Sequence, residues 1–210
     1  MIISKNIQGT DEWKNDRLGK FTASNFSKIM SPLKFLKSKD AYFYKIASER
    51  LTGEPYFAEV TEEEYVSSAM QRGNNLEMDA VREYQFINNC MVERVGFCQP
   101  EIDSLYGCSP DGLVNDDGGI EIKTPQLFTH LKYVEDNIIP SEYLSQVYGS
   151  LFVTGRLWWD FFSFNPNFNP LCIRVYSTSD KYQAWVAKFK PILAGLIEKL
   201  KTYKPIKESN

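Results

Sequence analysis

The architecture of this chain is set by two runs, Ser109-Pro110-Asp111-Gly112 and Gly119-Ile120-Glu121-Ile122-Lys123. The pentapeptide at their junction, Asn115-Asp116-Asp117-Gly118-Gly119, is rich in the residues that favour tight turns. Short β-prone segments flank it at 112–114 and 120–123. The pattern therefore predicts an antiparallel hairpin.

The hairpin brings charged side chains together. Asp111 and Glu121 are approximate cross-strand partners, so their side chains share a face with Cβ atoms roughly 4.5–5.5 Å apart. Period-2 alternation places Lys123 on the same face as Glu121, and Ile120 and Ile122 on the other. Two carboxylates and a lysine are expected to converge.

Two carboxylates this close repel each other unless a cation lies between them. Mg²⁺ suits such a site, because it prefers oxygen ligands and uses few protein carboxylates. Lys123 is near enough to orient or deprotonate a water molecule held by the metal. The set predicts metal-assisted hydrolysis of a phosphodiester. The simpler alternative is a solvent-facing strand with alternating charges.

Glu77 adds a third carboxylate. A helix is predicted over 61–88, opened by the capping box Thr61-Glu62-Glu63-Glu64. Glu77 lies beside the apolar stripe of this helix, where a carboxylate is costly unless it is paired or binds a metal. Gly73, one turn earlier, leaves room for another chain or a phosphate. The alternative is a boundary glutamate that reaches solvent.

Outside the hairpin and the helix over 61–88, the sequence shows both helical and strand patterns. Helices are predicted over 22–30, 40–51, 141–153 (with Ser141 as the cap) and 180–203, and strands over 91–99, 105–108, 157–164 and 171–176. The aromatic run within 157–164 is explained better by core or subunit packing than by base stacking. We expect an α/β fold with a central mixed sheet flanked by helices. With no repeat or linker, residues 1–210 are expected to form one domain.

Composition narrows the class of protein. The chain has 210 residues, 43% hydrophobic and 24% charged, with a formal net charge of −3. These values are typical of a soluble globular protein. No apolar run approaches the roughly 18–20 residues of a membrane span, and the first residues lack signal-peptide features.

The cysteines form no C-x-x-C pair, which favours free thiols in a reducing cytoplasm. They are Cys90, Cys98, Cys108 and Cys172. The single histidine, His130, excludes a two-histidine site.

Five motifs, in order along the chain, then point to a family. They are Trp13 with Arg17-x-Gly19-x-x-Thr22-Ala23-Ser24, Arg72-Gly73-x-x-x-Glu77, Cys108-Ser109-Pro110-Asp111-Gly112-Leu113, Gly119-Ile120-Glu121-Ile122-Lys123-Thr124-Pro125, and Tyr143-Leu144-x-Gln146-Val147. Together they resemble the phage lambda exonuclease family, the YqaJ-like viral recombinase nucleases. The resemblance implies the PD-(D/E)xK restriction-endonuclease-like fold.

The resemblance also implies a metal site. Asp111 and Glu121 would bind Mg²⁺ (with Mn²⁺ as a substitute), as one or two ions. The backbone carbonyl of Ile122 would be a further ligand. Glu77 would complete the acidic cluster, directly or through water.

Further roles follow from the same resemblance. Lys123 would activate the attacking water and stabilise developing charge, and Gln146 would sit beside the nucleophile. Arg17 would hold a phosphate near the scissile bond. Ser24 and Ser109 would hold the 5′-phosphate.

Three residues complete the predicted DNA contacts. Lys34 stands where the family uses a basic residue for the 5′-phosphate, but it replaces an arginine and loses a bidentate clamp. Met70 occupies the position of an apolar wedge that opens the duplex, although core packing explains a methionine there equally well. Arg72 would line the DNA channel with Arg17 and Lys34. A positive channel would reconcile DNA binding with a net charge of −3.

Family members are similar in activity as well. The resemblance implies a 5′-to-3′ exonuclease that degrades one strand of linear double-stranded DNA bearing a 5′-phosphate, leaving a 3′ overhang. It also implies a homotrimer, a single-strand annealing protein as partner, and phage or prophage origin in a bacterial cytoplasm, with no membrane. The alternatives are an endonuclease of the same fold (restriction or repair type) and an inactive DNA-binding protein. The intact Asp111, Glu121 and Lys123 argue against the latter.

Overall fold

The computed structural model of the chain describes residues 1–30, 36–56, 68–102 and 104–204. The helices in these ranges are α1 (Asp11–Arg17), α2 (Phe26–Ile29), α3 (Leu36–Thr52), α4 (Ser68–Asn88), α5 (Leu127–Asp136), α6 (Ser141–Thr154) and α7 (Asp180–Lys201). The strands are β1 (Ile2–Ile3), β2 (Phe21–Thr22), β3 (Val92–Glu93), β4 (Cys98–Gln99), β5 (Tyr106–Gly107), β6 (Gly112–Val114), β7 (Gly118–Lys123), β8 (Trp158–Asn165) and β9 (Phe168–Tyr176).

The central sheet is mixed and has the strand order β3-β6-β7-β8-β9. Strands β7 and β8 are parallel, whereas the other neighbouring pairs are antiparallel. A parallel pair needs a crossover connection, and α5 and α6 provide it between β7 and β8. The predicted fold class, a mixed sheet flanked by helices, is confirmed.

The predicted hairpin is present as β6 and β7. Gly112 pairs with Ile120, and the same register places Asp111 opposite Glu121. The turn differs in one respect, because Gly118 and Gly119 already belong to β7. A Cβ atom on either glycine would lie within about 2.2 Å of a tryptophan ring on β8. These glycines are therefore required by packing against the next strand.

The central sheet divides the core into two layers. The side chains of β8 alternate between the two faces of the sheet and so contribute to both layers. Trp159 and Phe161 belong to the cluster formed with α2, α3, α6 and α7. Trp158, Phe162 and Phe164 pack with Ala80, Val81 and Tyr84 of α4. Every residue of β8 is buried, so the aromatic run is part of the core and not a base-stacking surface.

Some predicted boundaries are wrong. The predicted strand over 91–99 is two short strands, because the chain bends at Gly96, where a Cβ would lie 2.4 Å from the carbonyl oxygen of Asn6. Strand β3 joins the central sheet and β4 pairs with β1. The predicted helix over 22–30 is a 3₁₀ turn (Ala23–Asn25) followed by α2. Ser141 is the first residue of α6 rather than its cap.

Two helices were not predicted, α1 and α5. Helix α1 has no buried residue and thus no apolar stripe. Its local signals are the cap Thr10, whose side chain accepts a hydrogen bond from the Trp13 amide, and the acidic residues of its first turn. Helix α5 buries His130, whose ring nitrogens lie 2.8 Å from Ser163 Oγ and 3.0 Å from the Asn169 carbonyl oxygen. These contacts make His130 a structural residue. The start predicted for the helix over 61–88 lies outside the described residues.

Across the described ranges, no helix has both the length and the hydropathy that crossing a membrane requires. The four cysteines carry free thiols.

Candidate active site

The hairpin presents Asp111 and Glu121 at one end of the central sheet. Asp111 Oδ2 accepts a hydrogen bond of 2.6 Å from the backbone amide of Ile122, which ties the residue before β6 to the middle of β7. The Glu121 side chain is only 1% exposed. Burial, followed by repulsion from the neighbouring Asp111 carboxylate, raises the pKa of Glu121 to about 8, although Lys123 acts in the opposite direction. Burial also raises the pKa of Asp111. The two carboxylates thus repel each other in a poorly solvated site.

Lys123 partly compensates this charge. Its Nζ donates a hydrogen bond of 2.5 Å to Glu121 Oε1 and lies 4.9 Å from the centroid of the Tyr143 ring on α6. Burial alone lowers the pKa of Lys123, but Glu121 and Asp111 outweigh it and raise the pKa above its ordinary value. In this state Lys123 is an ammonium, which stabilises negative charge and has no free lone pair to accept a proton.

Glu77 approaches the same site from α4. Burial raises its pKa, repulsion by Asp111 raises it further, and Arg94 and Lys123 lower it. Arg94, which follows β3, donates a hydrogen bond of 2.6 Å from Nη2 to Glu77 Oε1. The structure therefore adds Arg94 to the residues predicted from sequence. The sequence carried no motif that could have singled it out, since the contact depends on how α4 lies against β3.

The donor set fits a hard divalent cation. Glu121 Oε2 is buried and has no hydrogen-bond partner within the described ranges, although a buried carboxylate oxygen normally has one. The nearby oxygens of Asp111 and Glu77 are the ligand type that Mg²⁺ prefers. In the described part of the chain, no three acidic, histidine or cysteine side chains yet converge as a ready metal site. The Ile122 amide, Lys123 and Arg94 each occupy one oxygen of Asp111, Glu121 and Glu77, respectively. The ligand roles, including that of the Ile122 carbonyl, stay predictions.

Gln146 lies on α6, three residues after Tyr143. Residues at this spacing share a side of a helix, so Gln146 lies on the side that faces Lys123. Its side chain makes no hydrogen bond within the described ranges, and its place beside the nucleophile stays a prediction.

A second cluster surrounds Ser109, two residues before Asp111. Ser109 Oγ accepts hydrogen bonds from Arg17 Nη1 at 2.6 Å and from Trp13 Nε1 at 3.0 Å. The Arg17 guanidinium lies 4.4 Å from the centroid of the Trp13 ring. Burial lowers the pKa of Arg17, and no carboxylate of the described residues forms an ion pair with it. The structure thus brings Arg17 and Ser109 together.

Arg17 also lines a cavity of about 440 Å³ beside this cluster. Lys20, Asn25, Tyr42 and Lys45 lie in the same wall. Ser24 is exposed next to Asn25, and its Oγ lies 3.3 Å from Thr22 Oγ1. The same wall also contains Lys14 and the acidic Asp11 and Glu49, so cations outnumber carboxylates around Arg17 but do not exclude them.

Three predicted DNA-binding residues cannot be placed in the site. Lys34 lies outside the described residues. The backbones of Met70 and Arg72 lie in α4, but their side chains are outside the described part. Their roles stay predictions.

Comparison with known proteins identifies a family and two similar solved structures. The model of the YqaJ-like viral recombinase domain matches residues 12–157. The chain is similar to an alkaline exonuclease (LHK-Exo) from Laribacter hongkongensis, with 31% identity, a TM-score of 0.77, and coverage of 92% of this chain and 93% of that one. The structure of LHK-Exo with dAMP matches at 31% identity and a TM-score of 0.75, over 92% and 95% of the two chains.

A phage-related exonuclease from Haemophilus somnus 129PT shares the fold alone, at 13% identity and a TM-score of 0.58 over 90% of this chain and 97% of that one. No curated protein sequence matches the chain.

The mixed sheet and the carboxylate–lysine hairpin define a nuclease fold of the lambda exonuclease type. The family follows from the sequence match over residues 12–157: this chain belongs to the YqaJ-like viral recombinase family. The resemblance inferred from the five motifs is confirmed.

Proposed function

We propose that the protein is a Mg²⁺-dependent 5′-to-3′ exonuclease that degrades one strand of linear double-stranded DNA and leaves a 3′ overhang. The observation that carries the proposal is the unpartnered, buried Glu121 Oε2, held beside Asp111 and Lys123. Such an oxygen is costly in a folded protein unless a ligand satisfies it. The similarity to LHK-Exo, an alkaline exonuclease whose structure with dAMP is known, supports the same chemistry.

The acidic end of the hairpin would hold the cation. Asp111 and Glu121 are the proposed ligands, joined by the Ile122 carbonyl and by Glu77 directly or through water. When bound, Mg²⁺ supplies Lewis-acid activation and neutralises charge at the phosphate.

The other side chains would act on the attacking water and the phosphate. The Lys123 ammonium, held against Glu121, stabilises negative charge that develops on the phosphate. If a bound cation neutralised the carboxylates, the attraction that raises the pKa of Lys123 would be removed and burial would lower it. Lys123 could then release its proton to solvent, and the neutral amine could take a proton from the attacking water. Gln146 orients that water from α6.

The cluster at Ser109 supports end recognition. Arg17 lacks a carboxylate partner among the described residues and sits on Ser109 Oγ. A guanidinium in this setting is suited to bind a phosphate. The resemblance places Arg17 near the scissile bond, but its hydrogen bond to Ser109, a predicted 5′-phosphate residue, favours a shared role: Arg17, Ser109 and Ser24 would hold a terminal 5′-phosphate next to the hydrolytic site. An endonuclease of the same fold has no need for such a pocket.

The wider biological context is also proposed. The family is one of viral recombinases, which favours a role in recombination by single-strand annealing. The proposed assembly is a homotrimer around the DNA, with an annealing protein as partner. The proposed setting is the cytoplasm of a bacterial host, with a phage or prophage gene.

The test uses linear duplex DNA labelled on each strand, with or without a 5′-phosphate, in Mg²⁺ or in EDTA. We expect Mg²⁺-dependent loss of the strand that begins with the 5′-phosphate, and no cutting of a closed circle. Asp111→Asn should be inactive, whereas Asp116→Asn in the exposed turn is the matched control and should be active. Cutting of the circle would favour the endonuclease alternative, and the absence of any Mg²⁺-dependent loss would contradict a nuclease.

A further inference from the structure

Arg94 connects the acidic site to the surface of the protein. Its Nη2 donates to Glu77 Oε1 at 2.6 Å, and its Nη1 lies 3.1 Å from Met78 Sδ. The Arg94 side chain is 50% exposed, whereas that of Glu77 is 27% exposed. The ion pair therefore has a partly buried anionic end and a more solvated cationic end.

This pair competes with the proposed cation. Glu77 is a proposed ligand, directly or through water, yet one of its oxygens already accepts a strong hydrogen bond from Arg94. A guanidinium and Mg²⁺ that share one carboxylate repel each other. A cation that engages the Glu77 carboxylate therefore weakens its contact with Arg94.

Arg94 also lines a groove on the surface of the protein. It has a volume of about 500 Å³ and is lined by Arg94 together with the N-terminal segment, including Ser4, Lys5 and Gln8. The Gln8 amide donates to the carbonyl oxygens of Val95 at 2.9 Å and Pro110 at 2.7 Å. Since Pro110 precedes Asp111, this hydrogen bond ties the N-terminal wall of the groove to the segment that carries Asp111.

The groove can attract a phosphate backbone. Arg94 and the exposed Lys5 are its cations, and the acidic Glu93 lies in the same wall. In the pair with Glu77, the Arg94 charge is neutralised, and Lys5 and Glu93 balance each other, so the groove carries no net charge. Release of Arg94 adds one net positive charge there, and phosphate contacts by arginine and lysine dominate the affinity for DNA.

We propose that Arg94 exchanges partners, from Glu77 in the cation-free protein to a DNA phosphate in this groove when a divalent cation binds. This inference rests on the proposed metal site. Cation binding and DNA binding would then strengthen each other, because a coupling between two sites is reciprocal. The protein would bind DNA weakly until it holds the ion required for hydrolysis.

The first test measures Mg²⁺ binding by calorimetry in the absence of DNA. Arg94→Met keeps much of the side-chain length but removes the charge, and we expect it to bind Mg²⁺ about tenfold more tightly than the wild type. Arg94→Lys restores a charge and should reverse most of the gain. Arg82→Met is the matched control, because Arg82 lies on α4 and pairs with Asp79 at the exposed surface.

The second test measures the coupling between cation binding and DNA binding. Fluorescence anisotropy with a 5′-phosphorylated duplex compares Ca²⁺ with EDTA, and gel analysis verifies that the DNA is intact. The wild type and Arg82→Met should gain affinity when Ca²⁺ is present, and Arg94→Met should lose most of this gain. Thermal unfolding verifies that each variant is folded.

The outcomes separate the inference from the proposed function. If Arg94→Met binds Mg²⁺ no more tightly than the wild type while Mg²⁺-dependent hydrolysis persists, the exchange is wrong and the nuclease stands. An unchanged gain with Ca²⁺ in Arg94→Met also overturns the exchange. If no protein binds Mg²⁺ and no hydrolysis requires it, both proposals fail.

Discussion

The two glutamates of the acidic site have ion-pair partners, whereas the charged group of the Arg17 cluster has none in the described part of the chain. Glu121 and Glu77 are each held by a basic side chain of the same protein, Lys123 and Arg94. Arg17 is held by neutral groups and has no carboxylate partner among the described residues. In the acidic site, Lys123 and Arg94 occupy the place of the proposed metal cation. In the Arg17 cluster, the guanidinium is available to bind an anion from outside the protein, such as a phosphate.

The two regions are also joined. Ser109 belongs to the Arg17 cluster and Asp111 to the acidic site, so at most about 7 Å of extended chain separates their Cα atoms. A shift of this segment moves both regions together. We therefore expect substitutions in the acidic site to affect catalysis, and substitutions in the Arg17 cluster to affect which DNA ends are used.

The largest expected effect is at Lys123. Lys123→Ala removes the cation beside Glu121, and we expect cleavage to fall by about 10²–10⁴-fold, with DNA binding largely retained. Initial rates on linear duplex and anisotropy on the same DNA measure the two quantities. Lys132→Ala on the exposed side of α5 is the control. Retained activity in Lys123→Ala would mean that another group assists the attack on the phosphate.

The next largest effect is expected at Arg17 and concerns the preference for 5′-phosphorylated ends rather than the cleavage step. Arg17→Ala removes a charge-assisted contact worth about 1.5–3 kcal/mol, so we expect roughly a 10–100-fold loss on 5′-phosphorylated ends. The rate on 5′-hydroxyl ends should change much less. Competition between the two substrates measures the preference, and Arg82→Ala is the control. An equal loss on both ends would place Arg17 at the scissile phosphate only.

A smaller effect concerns the pH dependence of stability. Since burial raises the pKa of Glu121 to about 8, the folded protein retains a proton that the unfolded chain releases near pH 4.3. Glu121 therefore stabilises the protein below that pH, and its contribution is lost as pH rises toward 8. Mg²⁺ should raise the Tm more at pH 8 than at pH 6, because it binds the ionised carboxylate.

Glu121→Gln provides the comparison for this effect. Melting curves in EDTA from pH 5 to 8 should show a steeper fall for the wild type than for Glu121→Gln. Equal slopes would show that Glu121 ionises near its ordinary pKa in the folded protein.

The smallest effect is at Tyr143, which supports Lys123 from α6. A cation–π contact contributes about 0.5–2 kcal/mol, so Tyr143→Leu should lower kcat by several-fold to roughly thirtyfold. Tyr143→Phe keeps the ring and should be nearly unaffected. The ring also stacks on Phe161, with centroids 5.7 Å apart, so thermal unfolding must accompany the rates. A loss of stability without a loss of kcat would restrict Tyr143 to a packing role.

The sequence predicted those parts of the molecule that depend on neighbouring residues. The hairpin has its own turn signal, and strand alternation then places Asp111 opposite Glu121. The aromatic run of β8 was assigned to the core because it is too apolar for an exposed strand. Arg17 and Ser109, which meet across 92 positions of the sequence, were grouped by family motifs and not by spacing.

The parts that were missed depend on long-range packing. Arg94 meets Glu77 only because β3 brings it beside α4, and no periodicity reports that contact. Helix α1 buries no side chain, so it lacks the apolar pattern by which helices are predicted. Gly118 and Gly119 were assigned to a turn because their packing partners lie on a strand that follows two helices later.

That glycine pair has an evolutionary consequence. Gly118 pairs with Trp158 and Gly119 with Trp159, so the smallest side chains face the largest. Side-chain size is therefore constrained as a sum across β7 and β8 rather than at each position separately. A relative with alanine or serine at position 118 or 119 should carry a smaller residue at the paired tryptophan. In the present chain, neither exchange is expected to be tolerated without the other.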